Sequence, residues 1–292
     1  MLGFGFLRRR RRARILAAPF PDDWRLRLEL DVALWGAVPA ELRPRLEDDV
    51  RLFMAERDWE PCGGIRLDDE MRAVIAAQAC VLTLGRSVDG FGHVRSILVY
   101  PTSYHAPDVW EDEAGIVTEE VDHREGEAWE RGIVVLSWQE VVGDARALNG
   151  RNLVLHEMAH QLDLIDVLTA NPSGLEGGRG EAVRRMDAFL AAFEAFDAEV
   201  EAGRRVKGLD AYGAEDEAEF FAVATESFFE RGSFLKMHHP ELYDVLAWYY
   251  NQDPASWPLP PERTHPAGET GRARRRRRRA EERRLRKRSD RS

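Results

Sequence analysis

The sequence predicts an α+β protein that is mostly helical and carries a small mixed sheet. Three observations predict it. Apolar residues recur at helical spacing through most of the first third of the chain and again in its last third. Only two runs, 96–100 and 133–138, have the composition of strands. A His-Glu-x-x-His segment begins at His156 in apolar, helical surroundings.

Taken in order, residues 1–20 read as a flexible basic arm, with Arg8 to Arg12 and Arg14 clustered behind a short apolar start. Residues 21–90 form an N-terminal helical portion. Trp24, Leu26, Leu28 and Leu30 lead into Val32, Leu34 and Trp35, and a second run carries Leu42, Leu46, Val50, Leu52 and Phe53. After the turn Pro61-Cys62-Gly63-Gly64, Asp68 is placed as an N-cap. It opens an apolar core helix through Met71, Val74, Ile75, Ala79 and Leu82, with Gly85 at its end.

Residues 91–254 hold the two β-rich runs, separated by an acidic stretch from Trp110 to Glu127. Helical pattern resumes at Ala145 and continues to about Val167, where the Gly-rich loop 171–180 breaks it. Helices follow over about 181–201 and 215–230, and a last one includes Leu242 to Tyr250. Residues 255–292 are proline-rich, then arginine-rich, and carry no fold signal.

The formal net charge is -10, although both ends are basic, so the body between them is strongly acidic. An acidic body does not attract a phosphate backbone, which leaves the basic ends, the arginine-rich tail above all, as the electrostatic argument for nucleic acid. Cys62 and Cys80 form no C-x-x-C pair, a usage that suits a reducing compartment. No apolar stretch reaches the ~20 residues needed to span a bilayer. Apolar residues precede the first arginines, the reverse of a secretory signal. These features predict a cytoplasmic protein without a membrane partner.

In Leu155-His156-Glu157-Met158-Ala159-His160 the two histidines are four apart, so on a helix they share a face with Cβ atoms ~5–6 Å apart. Both imidazoles can then meet one Zn²⁺ at ~2.0–2.1 Å. Glu157 follows the first ligand and can reach a water held by the ion without ligating. That is the position of a general base in hydrolysis of a peptide substrate. The plainer reading is two core histidines satisfied by hydrogen bonds; the apolar helix that carries the motif and the β-rich run 133–138 before it favour the metal site. A catalytic zinc needs a third protein ligand. No histidine follows at short spacing, so a glutamate on the helix near residue 220 is expected. Glu219 and Glu226 are seven apart on one face, and pattern alone does not separate them. Asp163, three residues beyond His160, is placed to orient a ligand histidine through its second ring nitrogen.

These residues resemble the Mlc titration factor A family of bacterial gluzincin peptidases, whose catalytic domain is similar to that of anthrax lethal factor. The resemblance runs through Cys62-Gly63-Gly64, Ala76 to Cys80, Val99-Tyr100-Pro101, Val135 to Trp138, His156 to Asp163, His239-Pro240 and Tyr250 to Pro254. It implies a zincin-like catalytic domain with one zinc per chain, held by His156, His160 and Glu219. It places a catalytic tyrosine seven residues before the glutamate ligand, a spacing that Tyr212 and Glu219 match. Glu226 then becomes a residue behind the ligands. Aminopeptidase-like activity on short peptides is also implied, and so is binding of a transcriptional repressor of sugar uptake. The second property supports an alternative reading, a regulatory binding protein that retains its zinc site and acts by sequestering a transcription factor. The arginine-rich tail after Gly271 is not part of the resemblance.

Overall fold

The computed structural model of the chain describes residues 2–86, 88–102, 132–162 and 178–258. It opens with four helices: α1 (Leu2–Leu16), α2 (Asp22–Asp31), α3 (Ala33–Ala37) and α4 (Arg43–Ala55). A strand β1 (Asp58–Pro61) follows, then α5 (Asp69–Val81), β2 (Ser96–Tyr100), β3 (Ile133–Ser137) and α6 (Trp138–Ala145). The last five helices are α7 (Leu153–His160), α8 (Gly178–Glu201), α9 (Glu217–Glu230), α10 (Gly232–His238) and α11 (Pro240–Tyr250).

The mostly helical character is as the sequence predicts, and the sheet differs in kind. Among the described residues it has three strands in the order β1-β2-β3, all parallel, where a mixed sheet was expected. Ile97 and Val99 on the central strand, with Val134 and Leu136 on β3, turn inward, while Val135 faces out. That alternation is the period of two that a half-covered sheet requires. β1 has no sequence signal because Asp58-Trp59-Glu60-Pro61 is short and polar. It is held by its register with β2, Trp59 opposite Ile97.

The first residues, expected as a flexible arm, are the helix α1 with a docking contact. Arg12 donates two hydrogen bonds of 2.7 Å to the carboxylate of Glu56, beyond the end of α4, and Arg11 donates to the Ala55 carbonyl. The Arg12 guanidinium, with Arg8 nearby, holds the Glu56 carboxyl below its usual range.

Asp68 caps α5 as expected, its side chain accepting the Met71 N–H at 2.8 Å. Ten of the thirteen residues of α5 are buried, which makes it the central helix of the core. Gly85 does not cap α5, which ends at Val81. A Cβ there would stand 2.2 Å from the Tyr250 carbonyl oxygen, so the glycine is needed for close approach of two backbones. The hydrophobic core draws on residues from Phe20 to Tyr250, including Trp35, Phe53, Phe220, Phe228 and Tyr249. Among the described residues, no helix is long and apolar enough to cross a membrane.

Candidate metal centre

The helix with the histidine pair starts later than its apolar pattern suggests. Between α6 and α7 the chain turns through Asn149-Gly150, with Gly150 at φ 85, and Asn152 caps α7 by accepting the Leu155 N–H at 3.1 Å. The glycine and the asparagine are the local signals that end one helix and begin the next. Asp144, at the end of α6, accepts the Leu153 N–H at 3.2 Å, and burial pushes its carboxyl up to about 6.

Across from α7 lies α9, begun by Asp216, which accepts the Glu219 N–H. Glu219, Glu226 and Glu230 fall at spacings of seven and four. At 3.6 residues per turn their directions lie within about 40° of one another on the helix. Each meets a different part of α7 or of the loop before it.

Glu219 stands at the histidine pair. Its Oε2 is 3.1 Å from His156 Nε2 and its Oε1 is 3.3 Å from His160 Nε2, while the two Nε2 atoms are 3.2 Å apart. Glu226 lies behind: its Oε1 is 2.9 Å from His156 Nδ1, and its Oε2 accepts the Asn152 N–H. A neutral His156 that donates Nδ1–H to Glu226 carries its lone pair on Nε2. That lone pair then faces the Glu219 carboxylate, and with His160 in the tautomer that leaves its Nε2 bare, three acceptors converge on one point. While His156 Nε2 carries no proton, the buried Glu219 Oε2 beside it has no hydrogen-bond donor.

Such a cluster needs a cation. A proton is one solution. Burial alone would lower the His156 pKa, but the hydrogen bonds to Glu219 and Glu226 raise it to about 10. Burial likewise would raise Glu219, and the two imidazoles outweigh it and hold the carboxyl at about 2. A metal ion is the other solution, and the donor set fits one. His156, His160 and Glu219 offer ligand atoms within 4.8 Å of one another. Tetrahedral ligands at ~2.0–2.1 Å from zinc lie ~3.3 Å apart, close to the separations seen here.

The remaining residues singled out in the sequence are distributed as follows. Glu157 is half-buried on α7, and burial raises its carboxyl while His156 and His160 lower it. Tyr212 is 48 % exposed, its ring 6.0 Å from that of His156. Burial of part of the ring and the charge of Glu219 push its hydroxyl up to about 12, so it keeps its proton and can donate a hydrogen bond at neutral pH. Asp163 lies outside the described residues, as do the acidic stretch 110–127 and the arginine-rich tail.

Sequence reasoning missed the polar network beneath the site. Glu230 Oε2 accepts the N–H groups of Asn149, Gly150 and Arg151 at 3.0, 2.8 and 3.1 Å. Asn152 Nδ2 donates to Glu230 Oε1 at 3.0 Å and to Gln78 Oε1 at 2.8 Å. Burial pushes Glu230 up to about 8, against the four N–H donors that favour its charge. The signal that would have found it is its spacing from Glu219 and Glu226 along one face.

A family model described as glucose-regulated metallo-peptidase M90 matches residues 6–251. An uncharacterised protein of Synechocystis sp. is 33 % identical over 246 residues, covering 84 % of this chain and 89 % of that protein. The Mlc titration factor A of Cronobacter sakazakii is 32 % identical over 242 residues, covering 82 % and 89 %. The Mlc titration factor A of Escherichia coli is 30 % identical over 249 residues, covering 82 % and 88 %.

Proposed function

The chain belongs to the glucose-regulated metallo-peptidase M90 family, and from that premise we propose that it is a zinc-dependent peptidase with a zincin-like catalytic domain over residues 91–254. The observation that carries the reading is the convergence of His156 Nε2, His160 Nε2 and the Glu219 carboxylate, each within 3.3 Å of the others. Two imidazoles and one carboxylate suit zinc and leave its fourth position open. Zinc held there supplies Lewis-acid polarisation of a peptide carbonyl and acidifies a water beside it.

The chain's own residues do the rest. Glu157 takes the proton of the attacking water and returns it to the leaving amine; burial, by raising its pKa, brings it toward the range a general base needs. Tyr212 donates its hydroxyl proton in a hydrogen bond to the carbonyl oxygen as charge develops there. Glu226 fixes the His156 tautomer through Nδ1 and keeps Nε2 free to ligate. Aminopeptidase-like action on short peptides in the cytoplasm is the activity the family resemblance supports.

A second reading follows from the name carried by two of the relatives above. On that reading the chain binds a transcriptional repressor and retains its zinc site, with sequestration as the task. Capture of the repressor that is unchanged by Glu157→Ala, together with no peptide turnover by wild type, would favour it.

The deciding experiment measures zinc content and peptide cleavage on the same purified sample. Wild type is expected to hold one zinc and cleave. Glu157→Ala keeps the metal and loses about 10²–10⁴-fold in rate, and Glu219→Ala loses the metal. Full zinc in Glu219→Ala would remove Glu219 from the ligand set, and a wild type that binds no zinc would sink the reading.

A further inference from the structure

Glu230 touches neither histidine and plays no part in the chemistry above, yet it is among the most elaborately bonded carboxylates described in the chain. One oxygen gathers three successive backbone N–H groups from the loop that leads into α7, and the other receives Asn152 Nδ2. Three N–H groups converge in this way only when the backbone curls into a nest. Here Gly150, at φ 85, supplies the left-handed step. Nests of this kind bind anions, and in this protein the chain's own side chain fills one. Its two oxygens thus gather N–H groups at the N-terminal end of α7.

What makes the clamp more than a cap is its continuation. Asn152 is 1 % exposed, and its polar groups are all committed. Nδ2 bonds Glu230 and Gln78, Oδ1 accepts from Leu155, and its backbone N–H donates to Glu226. Glu226 in turn holds His156 Nδ1. Gln78, on α5, is anchored by its own bond to the Val74 carbonyl at 3.0 Å. The His156 ring, on α7, is therefore tied to Glu230 through Glu226 and Asn152, and both glutamates of the tie lie on α9. Glu219, a third position on that same helix face, faces the other side of the same ring.

We propose that Glu230 is a positioning residue for the metal centre, clamping the loop 149–152 and, through Asn152 and Glu226, fixing how His156 is presented to the ion. The proposal rests on the metal-binding reading above and adds a residue that makes no contact with a ligand. Hydrophobic packing of α7 on α9 would hold the two helices at a distance. Turning α7 about its own axis is what the clamp resists, because three N–H groups and the Asn152 amide must all stay aligned on one carboxylate.

The test is zinc affinity by chelator competition, read on wild type, Glu230→Gln, Glu230→Ala and a control, Leu28→Ala. The control opens a cavity on α2, where Leu28 is fully buried. Glu230→Ala is expected to weaken zinc binding by about tenfold or more. Glu230→Gln, which keeps one acceptor oxygen, should weaken it by less, and Leu28→Ala should lower the melting temperature while leaving zinc affinity unchanged. On wild type alone, zinc should slow hydrogen exchange at the Gly150 and Arg151 amides, because coupling between two sites is reciprocal. Should Glu230→Ala fail to fold, Glu230→Gln and the exchange measurement decide. Unchanged zinc affinity in the folded Glu230 variants, or amide exchange indifferent to zinc, overturns the proposal and leaves the peptidase reading standing. A wild type that takes up no zinc overturns both.

Discussion

His156 has both ring nitrogens committed to carboxylates of one helix, Nδ1 to Glu226 and Nε2 beside Glu219. A histidine and a glutamate that meet without metal share a proton; with metal, the proton leaves. The histidine pair was legible in the sequence because four residues make one helical turn and the chemistry is local. The choice between Glu219 and Glu226 was not, since residues seven apart share a face and only their depth against α7 distinguishes them. Glu230 shares that face, but what it and Asn152 bond to was not legible, because their partners lie about 80 positions away. Tyr212 is the exposed member of the group, and its role is the most readily isolated. Tyr212→Phe keeps the ring and removes the donor. It should lower kcat by about 10²-fold, the lower end of the cost of losing one oxyanion donor, with zinc content unchanged. A Tyr212→Phe enzyme of wild-type kcat would remove the tyrosine from the mechanism.

At the scale of elements, the helices were legible where periodicity and caps agree. The N-cap Asp68 and the core face of α5 are the clearest instance. β1 was not legible, being short and polar, and the break between α6 and α7 falls inside what reads from the sequence as one helical run from Ala145. Asn149-Gly150 and the cap Asn152 were the signals that mattered there. Gly85 shows a different kind of limit: a glycine after an apolar helix reads as a C-cap, whereas here it admits the α11 terminus. A methyl group at Gly85 would meet the Tyr250 and Asn251 carbonyl oxygens at 2.2 and 2.3 Å, both backbone atoms. Gly85→Ala is therefore expected to destabilise the fold by about 3 kcal/mol or more, as overpacking against unyielding atoms does. Thermal or urea unfolding checks it, and a change below experimental error would show that the two segments part without cost.

For the whole molecule, buried acids set the response of stability to pH. The folded pKa of Asp144, about 6, lies above the ordinary aspartate value of 3.8. Between those values the folded state keeps a proton that the unfolded chain releases. The stabilisation is thus fully present below about pH 4 and is lost as pH rises through about 6, a change of roughly 3 kcal/mol. Asp144→Asn keeps an acceptor for the Leu153 N–H and should flatten this part of the curve. Urea midpoints of both proteins from pH 4 to 7 give the comparison, and parallel curves would contradict it. A further consequence follows from the metal centre being built from two helices. His160 leaves the ribosome well before Glu219, 59 positions later. At a synthesis rate of roughly 5–20 residues per second, that gap lasts about 3–12 seconds. During it the histidine pair has no carboxylate partner, so the nascent chain can hold an ion only weakly. Any ion held by the three residues together therefore binds only after both helices have been made.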